Sequence, residues 1–323
     1  MRPRREPALA VVIPCHDSAH LLPDCLAALA AQTLSADRFE VVVVETEGRA
    51  GAAAAVQRTG GDSGLSVRHL YGPDGPAAKR NLGAAKSDAP YLAFTDPDCL
   101  PDPQWLEAGL KRLEGGAKLV QGRVEPPSGE TSSALGHAIW VTRESGLYEA
   151  SNVFYERGAF ESAGGFPEHW FERIGVPFGE DAELGWAVRR SSGATCFEPG
   201  ALVRHRVFPA DAEQHLRDQL RAEHFPALVR AIPELREELL VDRLFLGTGN
   251  RAFWLAIAGL MAARHFRPAA LFAVPYLISL GRRSEGSGDP ARRAAIAVAL
   301  TASDAARVAA LLKGSLRARS PVL

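Results

Sequence analysis

A chain of 323 residues with 46% hydrophobic content is long and apolar enough to bury one large core or two smaller ones. Its net charge of −1 excludes a molecule that is, as a whole, a polyanion binder or an acidic tail. Cys15, Cys25, Cys99 and Cys196 show no CxxC spacing, which favours reduced, mostly buried thiols in a cytosolic protein over a disulfide framework.

The basic start MRPRREP is followed only by the short run ALAVVI, which suits a strand better than a secretory leader. Leu9 to Ile13 is a continuous apolar run, the mark of a strand buried on both faces, and Pro14 is expected to stop it. Asp17 or Ser18 is placed to cap a helix on which Leu22, Leu26 and Leu29 recur at helical spacing. Val41 to Val44 predicts a second buried strand, closed by Glu45, Thr46, Glu47 and Gly48. Ser66 to Leu70 is a weaker third strand, Ala77 to Lys86 a helix, and Tyr91 to Thr95 a fourth strand that stops at Asp96. A helix with Leu106, Leu110 and Leu113 on one face follows, then the strand-like KLVQGRV. This alternation predicts an α/β fold, a mostly parallel sheet flanked by helices. Such sheets bind ligands at the carboxyl ends of their strands. His16 and Asp17, Glu45, and Asp96 with Asp98 stand just past three of those ends.

After about Pro209 the pattern becomes helical throughout, dividing the chain into residues 1–208 and an all-helical, partly apolar extension over 209–323. The extension holds two apolar stretches, AFWLAIAGLMAA and AALFAVPYLISL, separated by RHFRP, then the break SEGSGDP and an alanine-rich helix. From Arg243 onward 12 Lys/Arg face only Glu285, Asp289 and Asp304. That excess points to membrane phosphates or nucleic acid. Each apolar stretch is about 12 residues, or about 18 Å of helix, against the roughly 30 Å of a hydrocarbon core. The expectation is therefore peripheral contact through 243–323 with the inner face of the cell membrane, with Trp254 and Tyr276 near headgroups and no nucleic-acid partner. A helical subdomain packed on protein is the competing reading.

Thr95-Asp96-Pro97-Asp98-Cys99 carries two carboxylates two residues apart at a strand end, where a hard divalent cation can sit beside a diphosphate. A solvated Asp-Pro-Asp turn explains the same residues. Gly179-Glu180-Asp181 opens a helix; one carboxylate can serve as a general base, or both can be ordinary first-turn acids. Lys79-Arg80-Asn81 offers cations for phosphates or an ordinary basic helix surface, and His205 is a metal ligand or a structural histidine.

In this order, the features resemble the family 2 glycosyltransferases of the GT-A fold, over roughly residues 8 to 208. VVIPCHDSAHLLPDCLAALAAQTL resembles the family's first strand, loop and helix, with its usual glutamine at Gln32. GPAAKRNLGAAKSDAPYLAFTDPDCLPDPQWL holds an Arg-Asn-x-Gly element as Arg80, Asn81 and Gly83, the acidic metal motif as Asp96 and Asp98, and Trp105. ASNVFYERGAFESAGGF resembles the acceptor-side strand and its Gly-Gly-Phe turn, and GEDAELGWAV the segment bearing the catalytic base. The chain departs at Glu45, usually Asp, at Thr46-Glu47-Gly48 in place of Asp-Gly-Ser, and at Ala187, often Arg.

The resemblance implies inverting sugar transfer from a nucleotide-sugar donor to an acceptor hydroxyl, the acceptor itself being unspecified. It implies Mg²⁺ or Mn²⁺ held by Asp98 with His205, and Asp96 on the ribose or a metal-bound water. Pro14, His16, Glu45, Arg80 and Asn81 join Asp96 on the donor side. Asp181 becomes the base, with Glu180 orienting the acceptor. His169, Trp170 and Phe171 form an acceptor-side platform or, as the commoner case, core aromatics. A sugar-1-phosphate nucleotidyltransferase would carry a Gly-rich basic loop where PCHDSAHLL stands, and a dinucleotide-dependent oxidoreductase a GxGxxG there. A nucleotide-sugar-binding scaffold without turnover is the non-enzymatic alternative; Asp98 and Asp181 count against it.

Overall fold

Unbroken apolar runs become interior strands because only a sheet covered on both faces can hide them. Three strands built on such runs, β1 (Leu9–Cys15), β2 (Phe39–Thr46) and β4 (Tyr91–Thr95), and the less apolar edge strand β3 (Val67–Gly72), are linked by α1 (Leu22–Ala30), α2 (Ala52–Asp62) and α3 (Pro76–Ala85). β1 pairs in parallel with β2 and with β4, and β2 with β3. Then come β5 (Cys99–Pro101), α4 (Trp105–Glu114), β6 (Leu119–Glu125), β7 (Asn152–Glu156), α5 (Arg157–Ser162), α6 (His169–Ile174), α7 (Glu180–Ser192) and β8 (Thr195–His205). The eight strands form one sheet in the order β3-β2-β1-β4-β7-β6-β8-β5.

The computed structural model describes residues 6–49, 51–62, 64–130, 139–209, 211–285 and 289–323. Residues 1–5 of the basic start and 286–288 of the SEGSGDP break lie outside them. The described residues divide into one compact unit of 6–129 with 139–206 and a second of Glu130 with 207–323.

The sheet is mixed: four strand pairs are parallel, while β7 runs antiparallel to β4 and β6, and β5 antiparallel to β8. Pro14 does not stop β1. Pairing with β4 ends at Val12 opposite Phe94, so the missing N–H of Pro14 leaves no bond to β4 unmade. Asp17 and Ser18 do not cap α1, which starts at Leu22 without a side-chain cap. Ser18 instead receives the His16 N–H, and Asp17 takes a left-handed φ of 51°. One apolar cluster underlies this unit, built from β1, β2 and the inner faces of α1 and α4. α3 lies close against β1 because Gly83 has no side chain: a Cβ there would stand 2.4 Å from Val12.

The second unit is helical: α8 (Ala212–Leu220), a 3-10 turn (Arg221–His224), α9 (Phe225–Ala231), α10 (Leu235–Glu238), α11 (Thr248–Ala262), a 3-10 segment (Arg267–Ala273), α12 (Val274–Arg283) and α13 (Pro290–Ala318). Phe253, Ala256, Ala273, Tyr276 and Val308 form its apolar centre. Tyr276 is therefore a core residue, with its hydroxyl 3.0 Å from Asp304 Oδ2, and Trp254 is half-buried. This corrects the expectation that both lie at a membrane surface.

Candidate active site

The parallel arrangement carries β1, β2 and β4 to a common carboxyl edge, and β4 ends there in Thr95 followed by the Asp96–Asp98 turn. The Cys99 N–H donates to the Asp96 carbonyl at 3.1 Å and closes that turn. β5 then pairs with β8 in a register that sets Cys99 opposite His205. This pairing joins residues more than a hundred positions apart: His205 Nε2 lies 3.5 Å from Asp98 Oδ2. His205 Nδ1 lies 2.9 Å from the Arg206 carbonyl, and as its donor fixes the tautomer that leaves Nε2 a lone pair. A carboxylate and an oriented imidazole suit a divalent cation. Cys99 Sγ is within 4.8 Å of both groups, but burial first, then Asp96 and Asp98, pushes its thiol well above the ordinary value. Burial also raises the Asp98 pKa, His205 offsets part of this, and Asp96 adds to it.

Asp96 turns the other way. Its Oδ1 accepts from Arg80 Nη2 at 2.9 Å, and Arg80 Nη1 lies 3.8 Å from Glu180 and 3.7 Å from Asp181. Arg80 is buried and sits over the Phe166 ring, 5.5 Å from its centroid. Burial alone would lower its pKa; the three carboxylates outweigh that and raise it. One guanidinium thus holds three acids at the site, and its ion pairs go to them.

Asp181 lies in the first turn of α7, entered through Gly179 at φ 82°. Its Oδ2 accepts the Ala150 N–H at 2.9 Å, while Oδ1 has no hydrogen-bond partner among the described residues. Burial first, then the neighbouring Glu180 charge, pushes its pKa up to about 8, against the opposing pull of Arg80. A carboxylate with one oxygen anchored by a backbone N–H and the other without a hydrogen bond, and with raised basicity, has the chemistry of a general base. Glu180 is 4% exposed, and its Oε2 is likewise without a hydrogen-bond partner among the described residues.

At the ends of β1 and β2 the structure departs from what the residue types suggest. Glu45 is 2% exposed; Oε1 accepts the Ala52 N–H at 3.1 Å at the start of α2, and Oε2 lies 2.9 Å from His69 Nε2. Both oxygens are committed inside the fold, although Glu45 also borders a cavity of about 660 Å³ with Asp17, His20, Gly48, Arg49 and Arg58. Pro14 is buried opposite Val44 and shapes the strand end. His16 is half-exposed, with Nδ1 3.0 Å from Thr46 Oγ1 and 3.4 Å from Asp74. Lys79 Nζ donates to the same Thr46 hydroxyl at 2.8 Å, and burial lowers its pKa.

Asn81 has both ends of its amide engaged by Phe166, donating to the carbonyl at 2.8 Å and accepting the N–H at 2.9 Å. Gly165, at φ 72°, is the residue this clasp requires, since a Cβ would stand 2.7 Å from the Asn81 oxygen. Asn81 thus fixes the Gly-Gly-Phe turn beneath Arg80. Trp170 is 2% exposed, donates to Glu183 at 2.6 Å and stacks under Arg173, so it is a core aromatic rather than an acceptor-side surface. Neighbouring His169 is exposed and lies 3.4 Å from Glu183, and Phe171 lines a second cavity of about 440 Å³ with Gly75, Glu168 and Gly175.

The residue that sequence reasoning missed is Asn152. It is fully buried at the start of β7, accepts from Trp105 Nε1 at 2.8 Å, and donates to the Arg123 and Ala201 carbonyls, each at 2.8 Å. The signal for it was weak: a polar residue that follows Ser151 and precedes the apolar Val153-Phe154-Tyr155.

Comparison with known proteins agrees with this fold. The family model described as "Glycosyl transferase family 2" matches residues 10–167. Glycosyltransferase AglE of Haloferax volcanii is 32% identical over 173 residues, 50% of this chain and 57% of that protein. Validoxylamine A glucosyltransferase of Streptomyces hygroscopicus subsp. jinggangensis is 37% identical over 121 residues, 36% of this chain and 28% of its own length. The chain therefore spans less than two thirds of these relatives. Among solved structures, a mannosyltransferase from Pyrobaculum calidifontis, in complex with GDP-Man and Mn²⁺, superposes with TM-score 0.57 at 18% identity, over 96% of this chain and 87% of that one. S. aureus TarS 1–349 in complex with UDP-GlcNAc superposes with TM-score 0.53 at 15% identity, over 97% and 92%. The structural likenesses establish the GT-A-like fold, and over residues 10–167 the chain resembles glycosyl transferase family 2, as the curated relatives also indicate.

Proposed function

We propose that the protein is a glycosyltransferase that moves a sugar from a nucleoside-diphosphate donor to an acceptor hydroxyl, inverting the anomeric centre. The observation that carries this reading is the pairing of Asp98 with His205 at one sheet edge, together with Asp181, which Arg80 ties to the neighbouring Asp96. The acceptor oxygen attacks the anomeric carbon, its proton passes to Oδ1 of Asp181, and the bond from carbon to the diphosphate oxygen breaks. A direct displacement of this kind needs one base and inverts the centre. Arg80 keeps Asp181 and Asp96 in place, and the Ala150 N–H fixes the direction of the carboxylate. Asp98 and His205 are the residues that would hold Mg²⁺ or Mn²⁺, which supplies Lewis-acid stabilisation of the departing diphosphate. The structural neighbours solved with GDP-Man and UDP-GlcNAc support a nucleotide sugar as donor. A panel of nucleotide sugars, screened for thermal stabilisation with and without Mn²⁺, tests the reading. Stabilisation by one donor class that EDTA removes is expected; no stabilisation by any donor would leave the reading without support.

A further inference from the structure

We propose that α11, α12 and the 3-10 segment between them form a docking surface for an anionic lipid bilayer. In an ordinary surface helix the outer face is polar. Here both faces are apolar. Phe253, Ala256, Ala273 and Tyr276 point into the unit's core, while Leu260, Met261, Phe266, Leu271, Phe272 and Leu277 are each more than half exposed. α11 and the 3-10 segment, which runs on into α12, are locked together: a Cβ on Gly259 would stand 2.5 Å from the Ala269 carbonyl oxygen and 2.7 Å from Phe272 Cβ. Their outer side chains therefore make one rigid apolar face rather than scattered residues, and such a face marks an interaction site.

Charge selects the partner. From Arg243 to Ser284 the sequence contains no Asp or Glu. Arg251 and Arg283 are taken by Asp242 and Asp304. Arg264, Arg267 and Arg282 are exposed, border the apolar face at the turn and at the end of α12, and form no ion pair among the described residues. Apolar side chains flanked by free guanidinium groups suit the acyl boundary and phosphate layer of an anionic membrane. Neither helix is a span: the 15 residues of α11 reach about 22 Å, short of the roughly 30 Å hydrocarbon core. α13, with 29 residues, is long and apolar enough to cross a membrane, and one third of its apolar window is buried in this unit. Leu300, Val308 and Leu311 are buried, Asp304 is held by Arg283 and Tyr276, and Arg307 is bonded to Gln219.

The test is flotation of the full chain with phosphatidylcholine vesicles, with and without phosphatidylglycerol, at low and high salt. The wild type is expected to float with the anionic vesicles at low salt and to lose much of this at high salt. Each arginine at an anionic surface is worth about fivefold in partition, so the triple variant R264Q/R267Q/R282Q should lose about 10²-fold. The double variant F272S/L277S should lose binding while keeping its helical circular dichroism and its donor-dependent stabilisation. That last readout separates failure of this surface from failure of the proposed transfer activity. Absence of wild-type flotation with anionic vesicles, or flotation unaffected by either variant, overturns the proposal. So does a dimer in sedimentation that F272S/L277S turns into monomers, since a second copy would then cover the face.

Discussion

Asp181 is held between two opposing influences, the burial and Glu180 charge that favour its protonated form and the Arg80 charge that favours its carboxylate. With its pKa raised from 3.8 to about 8, the proposed base gains its ionised form as pH rises towards 8. Transfer should therefore climb with pH over that range, as kcat/KM measured from about pH 6 to 9 would reveal. Asp181→Asn should lose about 10²–10⁴-fold in transfer, keep donor binding, and lose this rising limb. The sign for stability is opposite. A raised carboxyl pKa means the fold prefers the protonated form, so its contribution is complete below about pH 4 and is lost as pH rises through about 8. Asp181→Asn should thus be less stable than, or equal to, the wild type near pH 4 and gain on it above about pH 8 in paired urea melts. Equal losses in binding and transfer would instead make Asp181 structural. The acids at 96, 98 and 181 were legible in the sequence because each follows an apolar strand or opens a helix, where a lone carboxylate stands out. The fate of Glu45 was not legible. Its partners, His69 and the Ala52 N–H, reach it only through the β2–β3 register and the entry of α2.

At the scale of elements, β1, β2 and β4 were readable because buried parallel strands carry apolar runs, the half-buried edge strand β3 less so, and β7 and β8 were harder to place. β7 owes its position to the antiparallel pairing with β4 and β6, and to the Asn152 network that ties it to α4 and β8. Asn152→Ala would leave the Trp105 N–H and two backbone carbonyls without their partner. A loss of about 3 kcal/mol in chemical denaturation is expected, since each buried group left unpaired costs about 1–3 kcal/mol. An unchanged midpoint would remove Asn152 from the framework. The second unit has its own close approach at Gly314, where a Cβ would stand 2.1 Å from the Glu223 carbonyl oxygen. Gly314→Val should push α13 away from the 3-10 turn and destabilise the protein by about 1–3 kcal/mol, the usual cost of overpacking. A melt unaltered by that substitution would show that α13 packs differently.

For the whole molecule, the near-neutral net charge of −1 hides a division along the chain. From Arg243 onward 12 basic residues face three acids, an excess of nine, so the residues before Arg243 carry a compensating acidic excess of ten. The helical character of the second unit was legible from its periodicity. Which aromatics face outward was not, because Tyr276 is drawn into the core by Asp304, a residue 28 positions further along the chain.

Metal-dependent sugar transfer through Asp98 and His205 is tested most directly by turnover of the best-stabilising nucleotide sugar in the wild type and in Asp98→Ala. Nucleoside diphosphate release is measured with Mn²⁺ and with EDTA, alongside circular dichroism to check the fold. The expected result is release by the wild type that EDTA abolishes, and none above background from a folded Asp98→Ala protein. Near wild-type release by Asp98→Ala with EDTA present would contradict the metal role.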